Sequence, residues 1–255
     1  MSLQLTYEDD SPIGLEGGFA DTGFHDVVTA NNPTLEIPFG RGLFNIADDD
    51  DGVKLPDVND AARFRGIAMR DQAIEGGSYP AKSPVAMMKR GRAYVYAEEA
   101  LNEDDPVFVR INGKKQVQTI TFSADFVALN KINLKVNGEP IAEVTFSVDQ
   151  ATTMGLLDAA ISAMEGVDNV TTLGQVVTIT SKQDVTLEIS DVVVTLGVSQ
   201  PTATILQTVA GVPTSARGQF RKSADSGTAI QLTSGVKWNK GCAAAGIAVI
   251  DLNLP

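Results

Sequence analysis

The stretch Gly91-Arg92-Ala93-Tyr94-Val95-Tyr96-Ala97, an acidic connection from Glu98 to Asp105, and then Pro106-Val107-Phe108-Val109-Arg110-Ile111-Asn112-Gly113 decides how the rest of the chain is read. Each half is a short run of β-branched and aromatic residues bounded by Gly, Pro, Asp or Asn, the pattern of a strand. Side chains alternate along a strand. Tyr94 and Tyr96 therefore share one face of the first run, and Val107, Val109 and Ile111 one face of the second. Pro106 has no amide hydrogen to give to a ladder, and it stands at the start of its run, where a strand tolerates it. The two runs read as a two-stranded unit, which is marginal in water by itself and needs a partner sheet.

That partner is predicted at the far end of the chain. From Gly218 to Leu254 the pattern returns in Gly218-Gln219-Phe220-Arg221, Ala229-Ile230-Gln231-Leu232, Val236-Lys237-Trp238 and Gly246-Ile247-Ala248-Val249-Ile250-Asp251-Leu252. The texture between the two differs. The spacing thus predicts one β domain split in sequence, residues 63–115 and 213–255, with a second domain inserted over 116–212.

Within the insertion, Lys131 to Val136 alternates cleanly and runs into Asn137-Gly138, a strong tight-turn signal. The period then changes: Met154, Leu157, Ile161 and Met164 fall on one helical face. Asp149 or Thr152 can cap the start of that helix and Gly166 can close its end. Short strands are predicted at 117–122, 141–148, 176–180, 185–189 and 192–196. This is a small α+β domain.

Residues 1–62 show little periodicity and are broken by Gly14, Gly17, Gly18, Asn31-Asn32-Pro33, Gly40, Gly42 and Pro56. A structureless stretch this long is usually disordered or used in binding. Phe19, Phe24, Phe39 and Phe44 point to an extended arm that packs on a neighbour and is mobile without it. The aspartates from Asp48 to Asp51 do not make a calcium loop. Setting Gly52 at the sixth position of an EF-hand puts Ala47 at the first and Val58 at the twelfth, and neither offers an oxygen ligand.

Composition narrows the function. With 43% hydrophobic and 20% charged residues, the 255-residue chain suits a folded protein. No apolar run approaches a membrane span, and the N-terminus lacks the basic and apolar regions of a secretory signal. The single cysteine, Cys242, rules out an intrachain disulfide framework and reads as a small buried residue. The net charge is −12, with 10 acidic and 3 basic side chains in 116–212 against 2 acidic and 5 basic in 213–255. So acidic a chain is a poor ligand for phosphate backbones, and Lys89-Arg90-Gly91-Arg92 is too small a basic cluster to alter that. His25 is the only histidine, so a multi-imidazole metal site cannot be built within one chain, and a nucleophile–His pair would have to use His25, in the least ordered part of the sequence. No phosphate-binding glycine loop or nucleophile elbow appears. No enzyme, cofactor or metal is expected.

Several segments, in order, resemble the capsid cement, or decoration, proteins of tailed bacteriophages. They are Ala20-Asp21-Thr22-Gly23, Ile37-Pro38-Phe39-Gly40-Arg41-Gly42, Phe64-Arg65-Gly66-Ile67-Ala68-Met69-Arg70-Asp71, Asp105-Pro106-Val107-Phe108-Val109, Gly218 to Ala229, and Gly241 to Leu252. The likeness covers residues 20–113 and 218–254 and breaks at the insertion, which is similar to small domains inserted in other phage structural proteins. Asp104 stands where the family often has Gly before Asp-Pro. The resemblance implies a β-barrel-like body, a homotrimer, and attachment to the major capsid protein on the outer surface of the virion's capsid; composition leads us to expect no nucleic-acid or membrane partner. On this reading the contact candidates on the arm are Phe19, Phe24, Ile37, Phe39, Arg41 and Phe44. A host-surface or carbohydrate-binding module, or a tail component, is the alternative.

Overall fold

A computed structural model of the chain describes residues 14–32, 35–47, 49–57 and 64–255; the start of the expected arm lies outside them. The described chain forms two units. One comprises the residues up to Asn112 together with Ala216–Pro255, and the other is Gly113–Ser215.

The first unit begins with β1 (Asp26–Asn31), β2 (Ile37–Pro38), β3 (Gly42–Ile46), β4 (Asp49–Lys54), β5 (Phe64–Ala68), β6 (Ser78–Tyr79), the 14-residue β7 (Pro84–Ala97) and β8 (Phe108–Arg110). Strands pair in the order β1-β4-β3-β5-β7, and β1 pairs again with β7, so the pairings close into a ring. Much of the stretch expected as an arm is thus sheet. β1 runs antiparallel along β7, from Asp26 opposite Arg90 to Asn31 opposite Pro84. The physical reason is the length of β7, which leaves a long free edge that a short segment without periodicity of its own can pair with. Inside the ring, Ala30, Ile37, Phe39, Leu43, Val53, Ala68, Tyr79, Val85 and Met87 form one core. Phe39 meets Tyr79 edge-on with centroids 5.2 Å apart. The Tyr79 hydroxyl donates to Met69 O at 2.8 Å, which satisfies a polar group that burial would otherwise penalise.

The second unit holds β9 (Val117–Phe122), β10 (Lys131–Val136), β11 (Glu139–Pro140), β12 (Val144–Thr145), α1 (Gln150–Ser162), β13 (Val167–Leu173), β14 (Val176–Ser181), β15 (Ile189–Thr195) and β16 (Ala203–Val209). One sheet has the order β13-β14-β9-β16; in the other, β10 pairs with β11, β12 and β15. The Asn137-Gly138 turn has both residues at positive φ, 52° and 83°, as a two-residue hairpin of this twist needs. Asp149 caps α1 by accepting from Thr152 N at 2.8 Å. Met154, Leu157 and Ile161 lie in the core, beside Ile120, Phe122, Val177 and Ile179. Strand β15 spans the gap between two strands read separately from sequence. β13 and β16 have no counterpart among the expected strands, because Asn, Thr and Gln interrupt their apolar alternation.

The chain then returns to the first unit as β17 (Phe220–Arg221), β18 (Ala229–Gln231), β19 (Val236–Lys240) and β20 (Gly246–Asn253). β20 runs antiparallel to β7 from Gly246 opposite Ala97 to Asn253 opposite Arg90. One expectation changes here. β7 and β8 are not neighbours, because β17 lies between them, with Phe220 opposite Ala97 on one side and Val109 on the other. The Glu98–Asp105 connection is too long for a tight hairpin, so the two strands stand apart and admit a third. Trp238, 2% exposed, closes this second core beside Phe220, Val95, Val107 and Ile250.

Candidate contact surface

The residues ahead of β1 continue along the edge of β7. Gly17 N donates to Tyr94 O at 2.8 Å, Tyr94 N to Gly18 O at 3.0 Å, and Ala20 N to Arg92 O at 2.9 Å. Phe19 forms a bridge with Ala93. Gly17 also accepts from Arg70 N at 2.7 Å and has a φ of 75°, where a side chain would lie within 3 Å of backbone atoms of Ala68, Arg70 and Gly40. Three chain segments therefore meet at a point only glycine can occupy.

Two aromatic rings face solvent here, Phe19 on the pinned backbone at 50% exposure and Phe24, between Ala20 and β1, at 80%. The Phe19 ring meets the His25 ring edge-on, with centroids 4.5 Å apart. Around them, charges alternate. Asp21 bridges His25 Nε2 at 3.0 Å and Arg92 Nη1 at 3.3 Å; Asp251 meets Arg92 Nε at 3.6 Å and Lys237 Nζ at 3.9 Å. Asp21, Arg92, Lys237 and Asp251, with Phe24, Arg90 and Gly91, line an open groove of about 570 Å³. Exposed ion pairs of this kind add little to folding, but they can set the register of a docking partner.

The six contact candidates on the expected arm separate sharply. Phe19 and Phe24 reach solvent. Ile37, Phe39 and Phe44 are each 1% exposed and belong to the cores, so they cannot touch a partner. Arg41 is half-buried. It donates to Ala216 O at 3.4 Å, and it reaches the Gln219 side-chain oxygen, once that amide is turned toward it, at 2.7 and 3.1 Å. Burial lowers its pKa, against the nearby charges of Glu16 and Glu98. It braces the interior. Sequence reasoning missed Asp21, Arg92, Lys237 and Asp251 as a group. The only signal was the basic cluster around Arg92, whose acidic partners lie far away in the chain.

The Gly218–Ala229 motif has a different job. Arg110, 1% exposed, donates to Glu98 through two nitrogens and to Asp225 at 2.7 Å, while its other terminal nitrogen donates to Thr228 Oγ1 at 2.9 Å. Arg221 reaches the same two carboxylates, each at 2.9 Å. Burial alone would lower the Arg110 pKa, but its bonds to Glu98 and Asp225 outweigh that and raise it. Such a paired cluster is structural. No group of three or more His, Cys, Asp or Glu suited to a metal occurs among the described residues. No helix there is long and apolar enough to cross a membrane.

The sequence model of a phage family, described as structural cement protein (E217 gp24/Pam3 gp6), matches residues 3–157. No curated protein matches the chain. Among solved structures, a chain of the capsid of Myoviridae phage XM1 is similar over 99% of this chain and 98% of its own, at 10% identity and a TM-score of 0.46. A chain from Mycobacterium phage Patience is similar over 92% and 93%, at 13% identity and a TM-score of 0.40.

Proposed function

Because this chain belongs to the phage structural cement protein family, we propose that it binds the outer face of the major capsid protein lattice as a homotrimer and clamps neighbouring capsomers. The role is structural, that of a cement or decoration protein of the phage capsid. A shell filled with DNA is under outward pressure and fails at its seams; a clamp engaging several capsomers adds contacts there at multivalent strength. The observation that carries the contact assignment is the pair Phe19 and Phe24, exposed on a segment whose backbone is bonded to β7 at Gly17, Gly18 and Ala20 before it and from Asp26 after it. Rigid exposed aromatics lose little entropy on docking and are frequent anchors of interfaces. The alternating charges of Asp21, Arg92, Asp251 and Lys237 would then orient the partner.

The test is binding of the purified protein to empty, expanded shells of the major capsid protein, followed by cryo-electron microscopy. Density on the outer face with Phe19 and Phe24 against the lattice is expected. Binding to host cells in the absence of any shell, with none to shells, would replace this reading by that of a host-surface module.

A further inference from the structure

We propose that the inserted domain carries a self-association edge. Strand β16 pairs, antiparallel and across a two-fold axis at Ile205, with β16 of a second copy of this chain. The inference is independent of which surface meets the shell.

The first observation is the position of β16. It ends the sheet β13-β14-β9-β16, and among the described residues its one strand partner is β9. Ser123 N donates to Thr202 O at 2.9 Å, so the backbone groups of Thr204 and Leu206 also face β9. Those of Ala203, Ile205 and Gln207 then point away from the sheet. An edge of this kind is normally blunted by charged side chains, Pro, an inward charge or a β-bulge. Ala203-Thr204-Ile205-Leu206-Gln207-Thr208-Val209 contains no charge and no Pro, and its one such device lies at its far end. A register shift between Gln207 and Val209 limits the straight, pairable part to Ala203–Gln207.

The second observation is an unfinished row of the core. Val177, Ile120 and Ile205 stand opposite one another across β14, β9 and β16. Val177 and Ile120 are both 0% exposed, but Ile205 is 38% exposed, and Leu206 on the other face is 61% exposed. One more strand carrying an aliphatic residue opposite Ile205 would complete the row.

Charge identifies the occupant. Residues 116–212 hold 10 acidic and 3 basic side chains, yet no charged residue lies between Asp191 and Arg217. A basic partner would find nothing to grip on this edge. Two copies of so acidic a domain can approach only where each is neutral, and β16 is such a strip. A two-fold axis at Ile205 sets Ile205 opposite its counterpart, Ala203 opposite Gln207, and Thr204 opposite Leu206. The outward backbone groups meet their complements, no like charges face each other, and the row is closed. The other edge strand, β13, includes Asp168, which opposes further growth of the sheet.

The test uses the full-length chain with Cys242→Ala, to which Ile205→Cys is added. Facing residues in a hydrogen-bonded antiparallel pair lie about 5.5 Å apart at Cα, and their Cβ atoms lie wider than the roughly 3.5–4.5 Å of a relaxed disulfide, so the thiols are joined by a short bis-thiol-reactive linker. The linker should yield a covalent dimer. Leu173→Cys in the same background, at the tip of the opposite edge strand and 84% exposed, should cross-link at least tenfold more slowly. Equal rates, or no dimer from Ile205→Cys, would overturn the proposal. Thr204→Lys is an exposed change that leaves the domain's own core intact. It should weaken by tenfold or more an association step seen by sedimentation equilibrium, and an unchanged step would equally overturn it.

Discussion

The guanidinium of Arg110 and the carboxylate of Asp225 meet at 2.7 Å although 115 positions of chain separate them. The whole inserted domain lies in that interval. The pair joins the two sequence pieces of the first unit: Arg110 ends β8, and Asp225 lies between β17 and β18, the strands that flank β8 in the sheet.

Breaking this cluster should be costly. Arg110→Ala removes the guanidinium shared by Glu98, Asp225 and Thr228 and leaves Arg221 to bridge the two carboxylates, with Thr228 Oγ1 still donating to Asp225 at 3.3 Å. Removing one member of a buried pair typically costs about 3–5 kcal/mol. Chemical denaturation should show a loss of that order. Arg110→Lys should recover only part of it, because an ammonium cannot reproduce the planar fork. A loss below about 1 kcal/mol would mean that the cluster contributes little.

Two phenylalanines from the same stretch should behave oppositely. Phe39, 1% exposed, fills the core inside the ring, so Phe39→Ala should destabilise the fold by about 3–5 kcal/mol. Phe24 is 80% exposed, so Phe24→Ala should leave the melting temperature nearly unchanged. Its expected effect is on shell binding, weakened about tenfold, which is roughly 1.4 kcal/mol. Unaltered affinity on shells would remove Phe24 from the contact.

The insertion should be separable from its host. Lys114 and Val212 exchange backbone hydrogen bonds, both at 2.8 Å, so the entry and exit strands stand side by side. Replacing residues 115–211 by a short Gly-Ser linker turns this bridge into a hairpin end, which costs little loop entropy. The shortened chain should unfold cooperatively, followed by the fluorescence of its single tryptophan, buried Trp238. A solvent-exposed emission spectrum in the native buffer would show that the host depends on the insertion.

Acid should weaken one local cap. The amide of Thr152, donating to Asp149, holds that carboxyl below the usual aspartate range. A group whose folded pKa is depressed adds stability above its unfolded pKa and loses it as pH falls through the folded value. The stability gap between the wild type and Asp149→Ala should therefore be full near neutrality and shrink on acidification below the ordinary carboxylate range. Denaturant titrations at a series of pH values check this; a gap constant down to strongly acid pH would exclude the cap as its source.

Local chemistry made several features legible in the chain alone. Alternation with β-branched residues marks β7, β10 and β20; Asn137-Gly138 marks a turn; the Met154, Leu157 and Ile161 spacing marks the helix. A single histidine and the lack of phosphate-binding loops narrow the possible chemistry. These are nearest-neighbour properties, set by what each residue permits its own backbone to do. Pairing partners are not of that kind. That β17 separates β7 from β8, and that β1 and Phe19 lie along β7, depends on which free edges remain once the longest strand has formed. For the same reason Ile37, Phe39 and Phe44 could not be told from Phe19 and Phe24 by sequence: all five are apolar residues in an aperiodic stretch. Only the closure of the ring decides which of them face the core. The groove from Asp21 to Lys237 likewise exists because β20 returns to β7 and brings Asp251 to Arg92.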